Sequence, residues 1–171
     1  MLFNKLIHFV LAVTLALISV GSAQPPSTRR LTIHPKTRFC LILPDAVGIP
    51  IADIEGSISW CTGPTSVVYG ANKFPAGFIK SAHYAEGPDG RYTQVTGRID
   101  RTKFDLLPTD RGAQAWLFHP LDSYCVGFDW YVQFVEPNRN IYCLRCCYNK
   151  EDCPTNKPDK GCKDVIPGDY S

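Results

Sequence analysis

The chain has 171 residues, with 18 lysines and arginines against 16 aspartates and glutamates, for a formal charge of +2. The cations are scattered among carboxylates, which excludes the footprint of a nucleic-acid binder or a polybasic membrane-docking protein. Aromatic residues make up 12% of the sequence, enough apolar area to exclude a disordered chain.

Residues 1–23 open with one cation, Lys5, continue with an apolar run from Phe9 to Val20, and close on Gly21-Ser22-Ala23. That layout predicts a secretory signal peptide. The run is too short for a membrane span, which needs about 20 apolar residues, and no later segment is long and apolar enough. A secreted, extracellular protein is expected. Residues 24–37 read as a flexible start or short pro-segment, with the dibasic pair Arg29-Arg30 a candidate processing site cut after Arg30. Ordered structure is expected to begin near Leu31.

Residues 38–171 read as a single β-rich domain. "RFCLIL" (38–43), "GSISW" (56–60) and "SVVY" (66–69) are short strand candidates. "GFIKSAHY" (77–84) and "RYTQVTGRI" (91–99) flank a Gly-Pro-Asp-Gly cluster, which predicts a hairpin from Phe78 to Ile99 turning at Gly87–Gly90. "RTKFDLL" (101–107) has the makings of one or two helical turns. "TDRGAQAWLFHP" (109–120) reads as a loop between strands, and Trp116, Phe118 and His119 make it the candidate binding loop. The plainer reading is that Trp116 and Phe118 cover a sheet edge.

"YCVGFDWYVQFVEP" (124–137) alternates: Tyr124, Val126, Phe128, Trp130, Val132 and Phe134 take one side, with Cys125, Gly127, Asp129, Tyr131 and Gln133 on the other. One long strand with one buried face is predicted. "NIYCLRCC" (140–147) would pair with it through the turn "EPNRN". Fourteen prolines and 13 glycines leave little room for helix. The expected fold is an all-β sandwich or barrel stapled by disulfides, with one short helix at most and an irregular C-terminal tail.

Eight cysteines, an even number in an exported chain, predict a disulfide framework: Cys40, Cys61, Cys125, Cys143, Cys146, Cys147, Cys153 and Cys162. The Cys143-x-x-Cys146 spacing fits a redox motif poorly, because that motif opens a helix and here lies inside a strand pattern. A zinc site would need a second close pair, whereas eight residues separate Cys153 from Cys162. On an extended strand Cys143 and Cys147 share a face and Cys146 takes the other. Adjacent partners within the run are then out of reach. At least one bond to Cys153 or Cys162 is expected, pinning a segment that is almost wholly polar after Tyr148. No cofactor or metal is expected.

No Gly-x-Ser-x-Gly, His-Glu-x-x-His or phosphate-cradling loop occurs. His34 falls in the flexible start and His83 in a strand, while His119 precedes a proline. A carboxylate dyad is left open by the sequence.

The stretch "VQFVEPNRNIYCLRCCYNKEDCPTNKPDKGCKDVIPGDYS" resembles a family of small secreted fungal proteins whose members end in a "VEP…CxRCC…DCPxxxDxxGCxxVIPGxY" pattern. Upstream, "RYTQVTGRI" and "LLPTDRGAQ" are similar to that family's "RYxQLTGCI" and "LxPxDxGGQ". The resemblance implies a secreted fungal protein of unassigned activity, discussed as a candidate effector, and carries over no catalytic residue. The chain departs from it in having Arg98 where the family has cysteine, and Ser171 where many members run on to a last cysteine. The two missing cysteines are then implied to be partners in the relatives. Ala113 replaces a glycine, and Gln114-Ala115-Trp116 replaces "QYD". The expected function is binding of a host, cell-wall or microbial target, protein or polysaccharide, without catalysis. The alternatives are a small hydrolase of a wall polysaccharide and a secreted enzyme inhibitor.

Overall fold

A computed structural model of the protein describes residues 29–34, 38–63, 68, 70–116 and 119–171. The expected signal peptide, all of "SVVY" except Val68, and Phe118 lie outside the described residues. In chain order the described strands are β1 (Arg30–Leu31), β2 (Ile33–His34), β3 (Arg38–Pro44), β4 (Ser57–Cys61), β5 (Asn72–Lys73), β6 (His83–Glu86), β7 (Tyr92–Arg98), β8 (Ala113–Trp116), β9 (Tyr124–Cys125), β10 (Trp130–Glu136) and β11 (Ile141–Cys147). One helical turn, α1 (Cys162–Val165), follows.

A five-stranded antiparallel sheet, ordered β6-β7-β11-β10-β8, packs on a four-stranded sheet ordered β2-β3-β4-β5. Phe39 and Leu41 of β3 meet Val95, Tyr131, Val135, Tyr142 and Leu144 of the larger sheet in one core. Phe39 stacks on Tyr142 with ring centroids 5.2 Å apart. The all-β sandwich expected from the two-residue periodicity is the fold observed. The hairpin from Phe78 to Ile99 also forms, with a single 3-10 turn at Pro88–Gly90 and an outer bridge between Ile79 and Ile99. "RTKFDLL" supplies a 3-10 turn at Arg101–Phe104.

The long strand from Tyr124 does not form as predicted. Gly127 adopts φ +82° and the Phe128 amide bonds back to the Cys125 carbonyl, so β9 and β10 are separate strands. β9 pairs in parallel with β1. The one-buried-face expectation fails too: Tyr131 and Val135 face the opposite sheet, while Val132 and Phe134 face a second core. That second core is closed by the C-terminal segment through Cys162, Val165 and Ile166, with Tyr170 packed against it. The tail is largely irregular, as expected, but it is a lid with an apolar underside.

Two further corrections concern the loops. Within 24–37, expected to be flexible, residues 29–34 are integrated into the fold. Leu31 is fully buried, and the Arg29 guanidinium donates to the carbonyls of Ser57, Glu55 and Leu121. The Arg30–Leu31 bond, expected on an exposed stretch, lies in a paired strand. His34, expected in the frayed start, belongs to β2. Second, "TDRGAQAWLFHP" is only partly loop, because residues 113–116 hydrogen-bond to β10 as the edge strand β8.

All eight cysteines are paired: Cys40–Cys61, Cys125–Cys146, Cys143–Cys162 and Cys147–Cys153. The face alternation along β11 decides the pairing. Cys146 points into the core between the sheets, whereas Cys143 and Cys147 point under the tail. Two bonds from the run therefore reach the tail, to Cys153 and Cys162. Beyond α1 the chain is held by side chains at alternate carbonyls. Gln94 Nε2 donates to Pro167 (2.9 Å), Thr96 Oγ1 to Asp169 (2.7 Å) and Ser81 Oγ to the main-chain oxygen of Ser171 (2.6 Å). The Ser81 hydroxyl also accepts the Arg98 amide, so Arg98 and Ser171 meet around one hollow. Among the described residues, no helix is long and apolar enough to cross a membrane.

Candidate binding cleft

The turn before β8 is fixed by Asp110. Its Oδ1 accepts the Gly112 amide (2.7 Å), its Oδ2 accepts the Ile51 amide from across the molecule (3.0 Å), and its carbonyl accepts the Asn138 amide (2.9 Å). Gly112 has φ +79°, and a Cβ there would overlap the Val135 carbonyl, so only glycine fits. The turn is thereby pressed against the end of β10.

Opposite stands the tail segment 158–161. Gly161 has φ +76°, and a Cβ there would fall 2.6 Å from Glu136 Oε1. The Cys162 amide donates to Glu136 Oε2 (2.8 Å), and the Cys143–Cys162 bond fixes the same residue to β11. Between these walls lies a cleft of about 420 Å³ lined by Arg111, Gly112, Ala113, Phe134, Glu136, Asn138, Arg139, Pro158, Asp159, Lys160 and Gly161.

Its charges are unequal in freedom. Glu136 is 6% exposed; Oε2 is taken by the Cys162 amide and Oε1 faces Arg139 Nη1 at 3.3 Å. Both oxygens of that carboxylate thus hold the fold, and Asp159 is left as the cleft's exposed carboxylate. Arg111 and Lys160, on opposite walls, make no ion pair among the described residues. Beside the cleft, Gln114 is 5% exposed and neither atom of its amide has a hydrogen-bond partner among them. It lies directly opposite Phe134 in the ladder, and so on the same sheet face as that cleft-lining ring.

Farther along β11, beneath the tail, lies a buried cation. Arg145 Nε donates to Gln94 Oε1 (2.9 Å) and Nη1 to the Asp152 carbonyl (3.0 Å), with its guanidinium 4.2 Å over the Tyr92 ring. Burial pulls its pKa below the ordinary arginine value, while the hydrogen bonds compensate the lost hydration.

Of the residues expected in a binding loop, Trp116 and His119 come together: their rings stack at 4.1 Å, and their main chains exchange hydrogen bonds of 2.9 and 2.7 Å. His119 precedes a cis proline, Pro120. Trp116 is half-buried at the end of the edge strand, three residues along β8 from the cleft. The eight cysteines are all structural. The cleft itself was missed, although Arg111 and Gln114 fall within "TDRGAQAWLFHP" and Glu136, Asn138 and Arg139 within "EPNRN". The missing link is the Cys143–Cys162 connection, which brings residues 158–161 to those turns and which spacing alone does not give. Among the described residues no group of three or more His, Cys, Asp or Glu is placed to hold a metal ion. Comparison with family models, with curated proteins and with solved structures finds no match for this chain.

Proposed function

We propose that the chain is a secreted, effector-like fungal protein that binds an extracellular target without catalysis, and that the cleft between Arg111 and Lys160 is its binding site. The observation that carries this reading is the state of Glu136. A glycosidase needs two carboxyl groups free to act as acid and as base or nucleophile. Here one of the cleft's two carboxylates is buried with both oxygens engaged in holding the tail. The rigid walls and polar lining suit recognition. Four disulfides agree with an oxidising compartment.

Two measurements test the reading. Expression in a fungal host should deliver the protein to the medium with its leader removed. Incubation with wall polysaccharides and host extracellular proteins should give a saturable complex and no product. Turnover that is abolished by Asp159→Asn would replace binding by hydrolysis as the function.

A further inference from the structure

Resting on the binding reading above, the chemistry of the cleft narrows the ligand. Once the Glu136–Arg139 pair is set aside, the charges facing solvent are Arg111 and Lys160 against Asp159, a local excess of one positive charge. The two free cations come from different walls, one from the turn before β8 and one from the tail. A group held between both must be anionic. An inorganic ion alone would leave most of a roughly 420 Å³ space unfilled, a volume in the range of small organic ligands, about 300–1,000 Å³.

The rest of the lining mixes donors and acceptors. Asn138 offers both and Asp159 accepts. Apolar lining is limited to Ala113, Phe134 and Pro158, little for the side chains of a peptide to fill. Sugar hydroxyls, which both donate and accept, complement such a lining. We propose that the cleft takes an acidic oligosaccharide, its carboxylate between Arg111 and Lys160 and its hydroxyls hydrogen-bonded to Asn138 and Asp159.

The test is titration of the mature, disulfide-intact protein, followed by calorimetry and by amide shifts. The probes are short oligogalacturonates, their methyl esters, neutral chito-oligosaccharides, polyglutamate and inorganic phosphate. Oligogalacturonate should shift amides of residues 110–114, 136–139 and 158–162, and its affinity should fall with added salt. Arg111→Gln and Lys160→Gln should each weaken it roughly tenfold, as expected for loss of one charge-assisted hydrogen bond. Esterification should do at least as much. Gln114→Met, at a buried amide outside the cleft lining, serves as a control: it should raise the Tm, by removing an unpaired buried amide, and leave binding unchanged. Equal binding of the methyl ester, or polyglutamate binding as tightly as the saccharide, would overturn the proposal. So would phosphate alone giving the same shifts, or no binding by oligogalacturonate. A chito-oligosaccharide or protein complex unaffected by Arg111→Gln would sink the acidic ligand while leaving a binding function standing, whereas sugar turnover would sink both.

Discussion

Two glutamines in neighbouring strands show how context sets the energetic sign of one side chain. Gln133 on β10 is 2% exposed, and its amide both accepts the Ile42 N–H and donates to the Ile42 carbonyl, each at 2.8 Å. It thereby completes β3 at Ile42, whose strand partner among the described residues is Ser59 of β4, and it joins the two sheets by hydrogen bonds rather than by packing alone. Gln133→Ala removes both bonds, leaves two main-chain groups unpaired in a dry core and opens a cavity. The expected loss is about 2–4 kcal/mol, read by denaturant unfolding with the disulfides intact; a loss under about 1 kcal/mol would mean that water reaches Ile42. Gln114 has the same chemistry with no partner, which is why its replacement by methionine is expected to stabilise. At Gly112 the constraint is steric. Alanine there faces both a positive φ, which costs about 1–2 kcal/mol by itself, and overlap with the Val135 carbonyl. Gly112→Ala should therefore destabilise by more than that conformational term. Thermal unfolding within about 1 kcal/mol of wild type would show that the turn before β8 relaxes freely.

The element that decides the shape of the cleft is the tail, and its order rests on covalent and polar ties more than on its own apolar content. Cys143–Cys162 closes a loop with a sequence separation of 19, for which loop-closure entropy gives about 3 kcal/mol. Replacing both cysteines by alanine should destabilise by about 2–4 kcal/mol. It should also release residues 158–171 from hydrogen-exchange protection while the amides of β10 and β11 stay protected. Simultaneous loss of both sets would show that the tail and sheet unfold as one unit. The same element marks the limit of what pattern reveals. β3, β4, β7, β10 and β11 were legible because alternating apolar residues and turn clusters encode them directly. The two-residue strands β1, β2 and β5 carry no period to read. β8, Ala-Gln-Ala-Trp, has small and polar residues where a strand pattern would show alternation. The tail's burial depends on Val165, Ile166 and two cysteines scattered through a polar run, and on glycines that fit against Glu136 and Thr96. Half of the cleft came from segments already read as a candidate binding loop and a hairpin turn, and the other half arrived through a disulfide whose partners were open.

At the scale of the molecule the five-stranded sheet is covered on both sides, by the smaller sheet over Tyr131 and Tyr142 and by the tail over Val132 and Phe134. Buried phenols report on these two layers separately. Tyr131 and Tyr142 are fully buried, and burial raises both pKa values far above the ordinary 10.0. Tyr170, in the tail, is raised first by burial and then by the Glu136 carboxylate, with Arg145 pulling the other way. A folded-state pKa above the unfolded value favours the protonated, folded form. The stabilisation is complete below pH 10 and is lost as pH rises beyond it, when only the unfolded chain ionises freely. Tyrosinate absorbance from Tyr131 and Tyr142 should then appear together with loss of near-ultraviolet circular dichroism, in one cooperative step above pH 10. Removing the Cys143–Cys162 bond should separate the layers. In that variant the tail lifts without the sheets parting, so Tyr170, identified by comparison with Tyr170→Phe, should ionise at lower pH than in the wild type, ahead of the cooperative step. If Tyr170 still ionises only with Tyr131 and Tyr142, then packing, the Cys147–Cys153 bond and the side-chain hydrogen bonds hold the tail, and the cleft's outer wall does not depend on Cys143–Cys162.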